Sequence, residues 1–177
     1  TVSTKLNLPV LPRCGLCKLY KGCRSPKMPV AGKGNEGILV VGEAPGKDED
    51  REGEPFVGDS GRRFRDAVSK AGLNAFRDCW LTNALICHPA GKTTKKQMID
   101  WCRPNVVKVI DELKPRVILL LGAKAVQSVI GWLWKEDTGG IGRWAGFRCP
   151  SQQLNAWVCP TYNPAYVQRL DHLVADR

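Results

Sequence analysis

The sequence contains no long hydrophobic run, since none of its apolar stretches approaches the roughly 20 residues that a helix needs to cross a bilayer. No secretory signal is visible, and there is no internal repeat and no low-complexity segment. The chain of 177 residues is long enough for one domain with a sizeable core and too short for two. We therefore expect a single domain over residues 1–177, without membrane spans and located in the cytoplasm.

Acidic residues are scarce relative to basic ones: 17 Asp and Glu face 27 Lys and Arg, which leaves a formal net charge of +10. Such an excess is typical of proteins that bind a polyanion, most often nucleic acid. The alternative is a basic surface without such a partner. Two basic clusters are candidates for contacts with a phosphate backbone: Lys92, Lys95 and Lys96, and Arg62, Arg63 and Arg65.

Disulfides are not expected although the chain has eight cysteines, because a chain of this size has core enough to fold without them. Ligation of a metal or cluster in a reducing cytosol is the better hypothesis. Cys14 and Cys17 are spaced to grip one metal centre, and Cys87 and Cys102 would complete four thiolates for zinc or an iron–sulfur cluster. Spacing alone does not select these four. The other cysteines fit a role as small buried hydrophobic residues: Cys23, Cys79, Cys149 and Cys159.

Strand, loop and helix alternate along the chain after an irregular segment over residues 1–36. Predicted strands are 37–42, 80–86, 117–121 and 157–159, and predicted helices are 60–72, part of 94–113, 123–130 and 164–174. Pro104 is expected to break the second helix or to start a new one. The alternation is typical of a three-layer α/β domain with a mainly parallel sheet. Ligands bind beyond the carboxyl ends of such strands, so the loops after residues 42, 83, 121 and 160 should share one crevice.

The most unusual stretch is GEAPGKDEDREGEPFVGDSG, which runs from Gly42 to Gly61 directly after a short apolar run. It is crowded with glycine, proline and acid inside a basic protein. The segments CGLC, LTNALIC, WCRP, VILLLGAKA and CPTYNPAYVQR accompany it along the chain. In order and approximate spacing, this set of motifs resembles the family 4 uracil-DNA glycosylases.

The resemblance implies a fold and a cofactor. The fold is a three-layer α/β/α sandwich around a four-stranded parallel sheet, in agreement with the independent pattern of strands and helices. The cofactor is a four-iron four-sulfur cluster that ties residues 1–36 to the loop after the second strand. Its implied ligands are Cys14, Cys17, Cys87 and Cys102.

The resemblance also implies that the acidic loop helps to enclose a deoxyuridine that has been turned out of the DNA stack. Phe56 matches the aromatic ring on which the base stacks, and Asn83 matches an asparagine that reads the edge of the base. The remaining implied base-binding residues are Gly42, Ala44 and Gly46, and the implied DNA-binding residues are Ser60, Arg62, Lys92 and Pro164. For the acids Asp48, Glu49 and Asp50 we favour a solvated turn over a role in shaping the loop.

The second motif departs from the family, since Asn163 stands in place of a histidine that stabilises the uracil leaving group. An asparagine stays neutral but can donate a hydrogen bond, so a smaller catalytic contribution is expected. Ala44 stands where family 1 enzymes carry an aspartate, which leaves Glu43 to orient water or to steady a cationic sugar. The implied catalytic residues are thus Glu43, Asn83 and Asn163. His88 replaces an arginine of the family and is interpreted as a surface or DNA-facing residue.

The expected function is that of a monofunctional uracil-DNA glycosylase acting on single- or double-stranded DNA and leaving an abasic site. One alternative is a binding module with weak or no catalysis that serves a replication or polymerase protein. Another is a glycosylase for a different modified base. The protein is expected to act as a monomer at the nucleoid or at replication sites.

Overall fold

A five-stranded sheet forms the centre of the molecule in the computed structural model, which describes residues 11–134 and 137–167. In chain order the strands are β1 (Ile38–Gly42), β2 (Cys79–Asn83), β3 (Val117–Leu121), β4 (Cys149–Ser151) and β5 (Ala156–Thr161). Their order across the sheet is β2-β1-β3-β5-β4. The first four strands of that order are parallel to one another, whereas β4 pairs with β5 in the antiparallel direction.

Helices fill the connections between the parallel strands. In chain order they are α1 (Cys14–Cys17), α2 (Lys47–Glu52), α3 (Asp59–Lys70), α4 (Ala75–Asp78), α5 (Lys96–Leu113) and α6 (Ala123–Trp134). Short 3₁₀ turns cover Leu19–Gly22 and Ile141–Arg143. The sequence β1, α2–α4, β2, α5, β3, α6 gives each pair of parallel strands a helical crossover, as a parallel sheet requires.

Both faces of the sheet are covered, because alternate residues of a strand point to opposite sides. Leu39 and Val41 of β1 pack in one apolar cluster with residues of α5 and α6. Val40, between them, packs in a second cluster with Phe64 of α3 and Leu81 of β2. The continuous apolar sequence of β1 is therefore explained by burial on both faces, which is typical of strands in a parallel sheet.

The predicted three-layer α/β class is confirmed, but the predicted strand count was one too low. β4 is only three residues long and contains Pro150, so it lacks the long apolar run by which the other strands were recognised. A short edge strand of this kind limits pairing with other chains. The predicted helix 164–174 begins with a helical turn at residues 164–167, and its remainder lies outside the described residues.

The predicted break at Pro104 was wrong, since α5 is one continuous helix of 18 residues with Pro104 in its interior. Pro104 removes one backbone donor at a cost of about 3 kcal/mol in an isolated helix. Val106, Val107 and Ile110, which follow it, are buried against the sheet. Tertiary packing of this apolar face outweighs the local penalty.

The segment before β1 is largely irregular, as predicted, in the part that is described. Beyond α1 and a 3₁₀ turn, Ala31 forms a bridge with Leu81 of β2, in which each backbone N–H donates to the other residue's carbonyl, at 3.0 and 2.8 Å. Over residues 11–134 and 137–167, no helix combines the length and apolar character that crossing a membrane would require.

Candidate active site

A cleft of about 560 Å³ opens beyond the carboxyl ends of the parallel strands. Each of the four loops that were predicted to share a crevice contributes to it. The lining includes ten of the predicted site residues: Gly42, Glu43, Ala44, Gly46, Phe56, Ser60, Asn83, Lys92, Asn163 and Pro164. They come together because β1, β2, β3 and β5 run in one direction, so that their carboxyl ends meet at a single edge of the sheet.

Phe56 and Asn83 meet at Gly42, the last residue of β1. A Cβ atom on Gly42 would lie 2.3 Å from Asn83 Oδ1 and 3.0 Å from the Phe56 ring, so only glycine fits between them. Asn83 is 6% exposed and Phe56 is 8% exposed, yet both line the cleft. Phe56 is thus both a core residue, packed on Phe64 with ring centroids 5.3 Å apart, and part of the cleft wall.

The predicted solvated turn at Asp48, Glu49 and Asp50 was wrong, because residues 47–52 form helix α2. The buried Glu49 carboxylate accepts backbone N–H groups of Gly46, at 3.0 Å, and of Gly58, at 2.9 Å. Its two hydrogen bonds close the loop around the cleft. The acids also lie in the first turn of α2, where negative charge interacts favourably with the helix dipole.

Asp50 connects this loop to the segment before β1. Its carboxylate accepts the backbone N–H groups of Arg24 and Ser25, each at 2.9 Å. Burial acts to raise the pKa of Asp50, but these two hydrogen bonds together with nearby positive charge lower it overall. Asp48 also lies in α2, where it is half-buried and forms an ion pair with Arg51 near the surface.

His88 was predicted to be a surface or DNA-facing residue, and of these two alternatives its place in the cleft is compatible with the second. It is half-buried and lines the cleft, and its Nδ1–H group donates to the carbonyl of Pro45 at 2.8 Å. Through this hydrogen bond, His88 joins the loop after β2 to the loop after β1. The residue before it is Cys87. The sequence did not indicate this hydrogen bond, because the acceptor is a backbone carbonyl 43 residues away.

Asn163 is held by its side-chain oxygen, which accepts the Ser60 hydroxyl at 3.3 Å and the Ala165 backbone N–H at 2.9 Å. The amide nitrogen has no hydrogen-bond acceptor within the part of the chain that the structure describes, and the residue lines the cleft. Ser60 was predicted to contact DNA. It lies in the cleft, and its hydroxyl orients Asn163.

Glu43 faces Lys124, a residue that the sequence analysis did not single out. The Lys124 Nζ lies 3.6 Å from Glu43 Oε2, and both side chains are only partly exposed. Lys124 is the second residue of α6 and lines the cleft. A sequence signal existed, because a lysine in the first turn of a helix is unfavourable by about 0.3–1 kcal/mol in the helix dipole.

The basic clusters are only partly at the cleft. Lys92 lines it, whereas Arg62 is exposed, outside the lining residues, and bonded to Asp59 and the Val57 carbonyl. Arg65 donates to the Phe56 carbonyl and lies over the Phe76 ring, 5.9 Å from its centroid. Arg65 therefore supports the loop, and a role in DNA contacts stays a prediction for the others.

Four thiols lie in one apolar cluster that packs Cys17 and Cys23 against the buried Cys87 and Cys102. Burial raises the pKa of Cys87 to about 12, partly offset by the Lys27 backbone N–H that donates to its sulfur at 3.2 Å. Burial likewise raises the pKa of Cys102, which the neighbouring Cys17 and Cys14 raise further. Within residues 11–134 and 137–167, no three His, Cys, Asp or Glu side chains converge closely enough to hold a single metal ion.

The fold and the cleft define an α/β protein with a cleft at the carboxyl edge of its parallel sheet, where ligands of such folds bind, lined by an aromatic ring and a buried amide. The family model described as "Uracil DNA glycosylase superfamily" matches residues 29–175. This protein belongs to the uracil DNA glycosylase superfamily.

Three similar proteins carry the same name. A relative from Pyrobaculum aerophilum, named "Type-4 uracil-DNA glycosylase", is 34% identical over 165 residues, covering 90% of this chain and 82% of that protein. Relatives of the same name from Sulfurisphaera tokodaii and Thermotoga maritima are 32% and 28% identical. Those alignments cover 86% and 89% of this chain, and 70% and 79% of the respective relatives.

Proposed function

We propose that this protein is a monofunctional uracil-DNA glycosylase that binds an extruded deoxyuridine in the cleft and hydrolyses its N-glycosidic bond. The observation that carries the proposal is the meeting of the Phe56 ring and the Asn83 amide at Gly42. The ring offers a stacking surface for any base. The amide adds a donor and an acceptor that only some bases can satisfy.

Specificity for uracil is assigned to Asn83. Its amide pairs with O4 and N3–H of uracil, whereas cytosine presents the opposite donor and acceptor at that edge. Because Asn83 is buried, cytosine would leave the amide unsatisfied at a cost of about 1–3 kcal/mol.

Bond cleavage leaves the electron pair of the C1′–N1 bond on uracil. A water oxygen then bonds to C1′ and gives up a proton, which balances the negative charge of the released uracil. The Asn163 amide nitrogen is the proposed donor to the uracil anion, since the side-chain oxygen is already occupied by Ser60 and Ala165. Glu43 is proposed to orient the water and to steady the cationic sugar. A neutral donor at residue 163 supports a slower reaction than a cation would give.

We also propose a four-iron four-sulfur cluster on Cys14, Cys17, Cys87 and Cys102. The donor set fits, because Cys17, Cys87 and Cys102 lie in one cluster of residues and Cys14 lies near enough to Cys102 to raise the pKa of that thiol. The sulfurs of Cys87 and Cys102 also accept N–H groups, from Lys27 and from the side chain of Asn105. A cluster of several irons is larger than one ion, so its ligands need not converge on a point. When bound, it would cross-link the segment before β1 to the loop after β2 and to α5.

Uracil-containing DNA, single- or double-stranded, is the proposed substrate. We further propose that the protein acts as a monomer in the cytoplasm, at the nucleoid or at replication sites. A replication protein is its proposed partner. The alternatives are a DNA-binding module without catalysis and a glycosylase for another base, both of which are consistent with Asn163 in the second motif.

The test is cleavage of end-labelled oligonucleotides after alkaline treatment, with uracil, hypoxanthine, xanthine and 5-hydroxymethyluracil compared side by side. Strand cleavage at uracil is expected, with loss of about 10²-fold or more in Asn83→Ala, which removes the base-reading amide. Asn35→Ala, an exposed change outside the cleft, is the matched control and should behave as wild type. Binding without cleavage at high enzyme concentration would instead establish the binding module.

A further inference from the structure

The geometry points to Lys124 as a positioning residue for Glu43, an inference that rests on the proposed role of Glu43 in catalysis. The Lys124 ammonium lies 3.6 Å from the nearer carboxylate oxygen, and the two side chains are 32% and 26% exposed. The residues come from different elements: Glu43 follows β1, and Lys124 lies in the first turn of α6, which follows β3. β1 and β3 are paired in parallel, so these two connections lie side by side.

The turn between β3 and α6 also bounds the carboxylate on its other side. Gly122 has φ of +94°, and a Cβ atom there would lie 2.4 Å from Glu43 Oε1. A side chain at residue 122 would therefore both strain the backbone and displace the carboxylate. Gly122 and Lys124 therefore both contact the Glu43 side chain, and both belong to the connection after β3, whereas Glu43 follows β1.

The Glu43 side chain borders two cavities. Glu43 lines the large cleft, and it also lines an adjoining cavity of about 220 Å³ together with Gly122, Tyr162 and Asn163. Lys124 lines the large cleft and is not among the described residues that line the adjoining cavity. Its ammonium therefore attracts the carboxylate towards the cleft in which the Phe56 ring and the Asn83 amide meet.

Stability alone does not account for this ion pair. A partly exposed ion pair stabilises a protein only slightly, and a lysine in the first turn of a helix opposes the dipole by a comparable amount. The two effects have opposite signs and similar size, so the pair contributes little net stability. Because the ion pair lies on the cleft wall, its main effect is to orient the Glu43 carboxylate.

The experiment measures single-turnover excision of uracil with enzyme in excess, together with affinity for an oligonucleotide carrying a non-cleavable deoxyuridine analogue. Lys124→Met is expected to slow excision about 10- to 100-fold, because a displaced reacting group loses rate rather than affinity. DNA affinity should change less than about threefold. Lys124→Arg, which keeps a cation, should recover most of the rate.

A double-mutant cycle separates positioning from other roles. If Lys124 acts through Glu43, adding Lys124→Met to Glu43→Gln should slow excision less than about twofold further. Lys108→Met is the matched control, because Lys108 forms an exposed ion pair with Glu112 at 3.7 Å on α5 and should leave the rate unchanged. Thermal melting of each variant shows whether it is folded.

Two results would overturn the inference while the proposed function stands. One is an equal slowing by Lys124→Met with and without Glu43→Gln, and the other is a loss of DNA affinity at an unchanged rate, which would make Lys124 a phosphate contact. Full activity of Glu43→Gln would overturn both this inference and the proposed role of Glu43. Absence of any uracil excision by the wild-type protein would refute the proposed function itself.

Discussion

At the scale of single residues, the cleft depends on close approaches that leave no room for substitution. Phe56 has φ of +64°, a left-handed conformation that costs a residue with a side chain about 1–3 kcal/mol. A Cβ atom on Gly61 would lie 2.1 Å from the Phe56 carbonyl oxygen, so the first turns of α3 hold this backbone tightly. In this left-handed conformation the Phe56 ring lies between Gly42 and Phe64, where it forms part of the cleft wall.

Asn163→Ala is predicted to slow single-turnover excision by about 10²-fold, because it removes the proposed donor to the uracil anion. Ser60→Ala removes only the hydroxyl that orients Asn163 and should have a smaller effect. Asn163→His should raise the rate, since an imidazolium donates with a full charge. An undiminished rate in Asn163→Ala would contradict the assignment.

At the scale of elements, α2 turns an acidic loop into a wall of the cleft. The acids that were predicted to form a solvated turn accept hydrogen bonds from backbone N–H groups. Glu49 accepts those of Gly46 and Gly58, which closes the loop. Asp50 fastens the same helix to Arg24 and Ser25. The negative charges of α2 therefore shape the loop in a protein whose net charge is +10.

Glu49→Gln is predicted to lower the free energy of unfolding by about 1–3 kcal/mol, because an amide cannot accept both backbone N–H groups without placing its own donor against one of them. Urea-induced unfolding measures the change. Glu52→Gln at the exposed end of the same helix is the control and should stay within about 0.5 kcal/mol of wild type. Equal destabilisation by the two substitutions would show that the buried carboxylate has no special role.

At the scale of the whole molecule, the loop after β2 joins the thiols to the cleft. Cys87 lies in the thiol cluster and the adjacent His88 donates to Pro45 on the cleft loop. Backbone hydrogen bonds add to this link, since Arg13 N–H donates to the Trp101 carbonyl at 3.0 Å beside Cys102. A cross-link among the thiols would therefore limit movement of both the segment before β1 and the loop after β2.

Cys87→Ser is predicted to lose the visible thiolate-to-iron absorption and most of the bound iron, and to melt at a lower temperature than wild type. Cys159→Ser, on β5 and outside the thiol cluster, should keep both absorption and iron. Anaerobic absorption spectra and iron analysis make the measurement. Full absorption in Cys87→Ser would remove Cys87 from the ligand set.

Local pattern in the sequence was sufficient for the parallel strands and for the edge of the sheet at which the cleft opens. The apolar runs of β1 and β3 and the turns that follow them are short-range features, and the motifs that carry Phe56, Asn83 and Asn163 are contiguous stretches. All three of these residues line the cleft. Their chemical roles stay predictions that the variants above test.

Only the tertiary structure decided the partners of Glu49, His88 and Lys124, and the continuation of α5 through Pro104. Each of these depends on a contact between segments that are distant in the sequence, or on packing energy that exceeds a local preference. Periodicity and motif describe what a residue prefers next to its neighbours in the chain. The hydrogen bonds and ion pairs of a cleft depend instead on which strand ends the fold brings side by side.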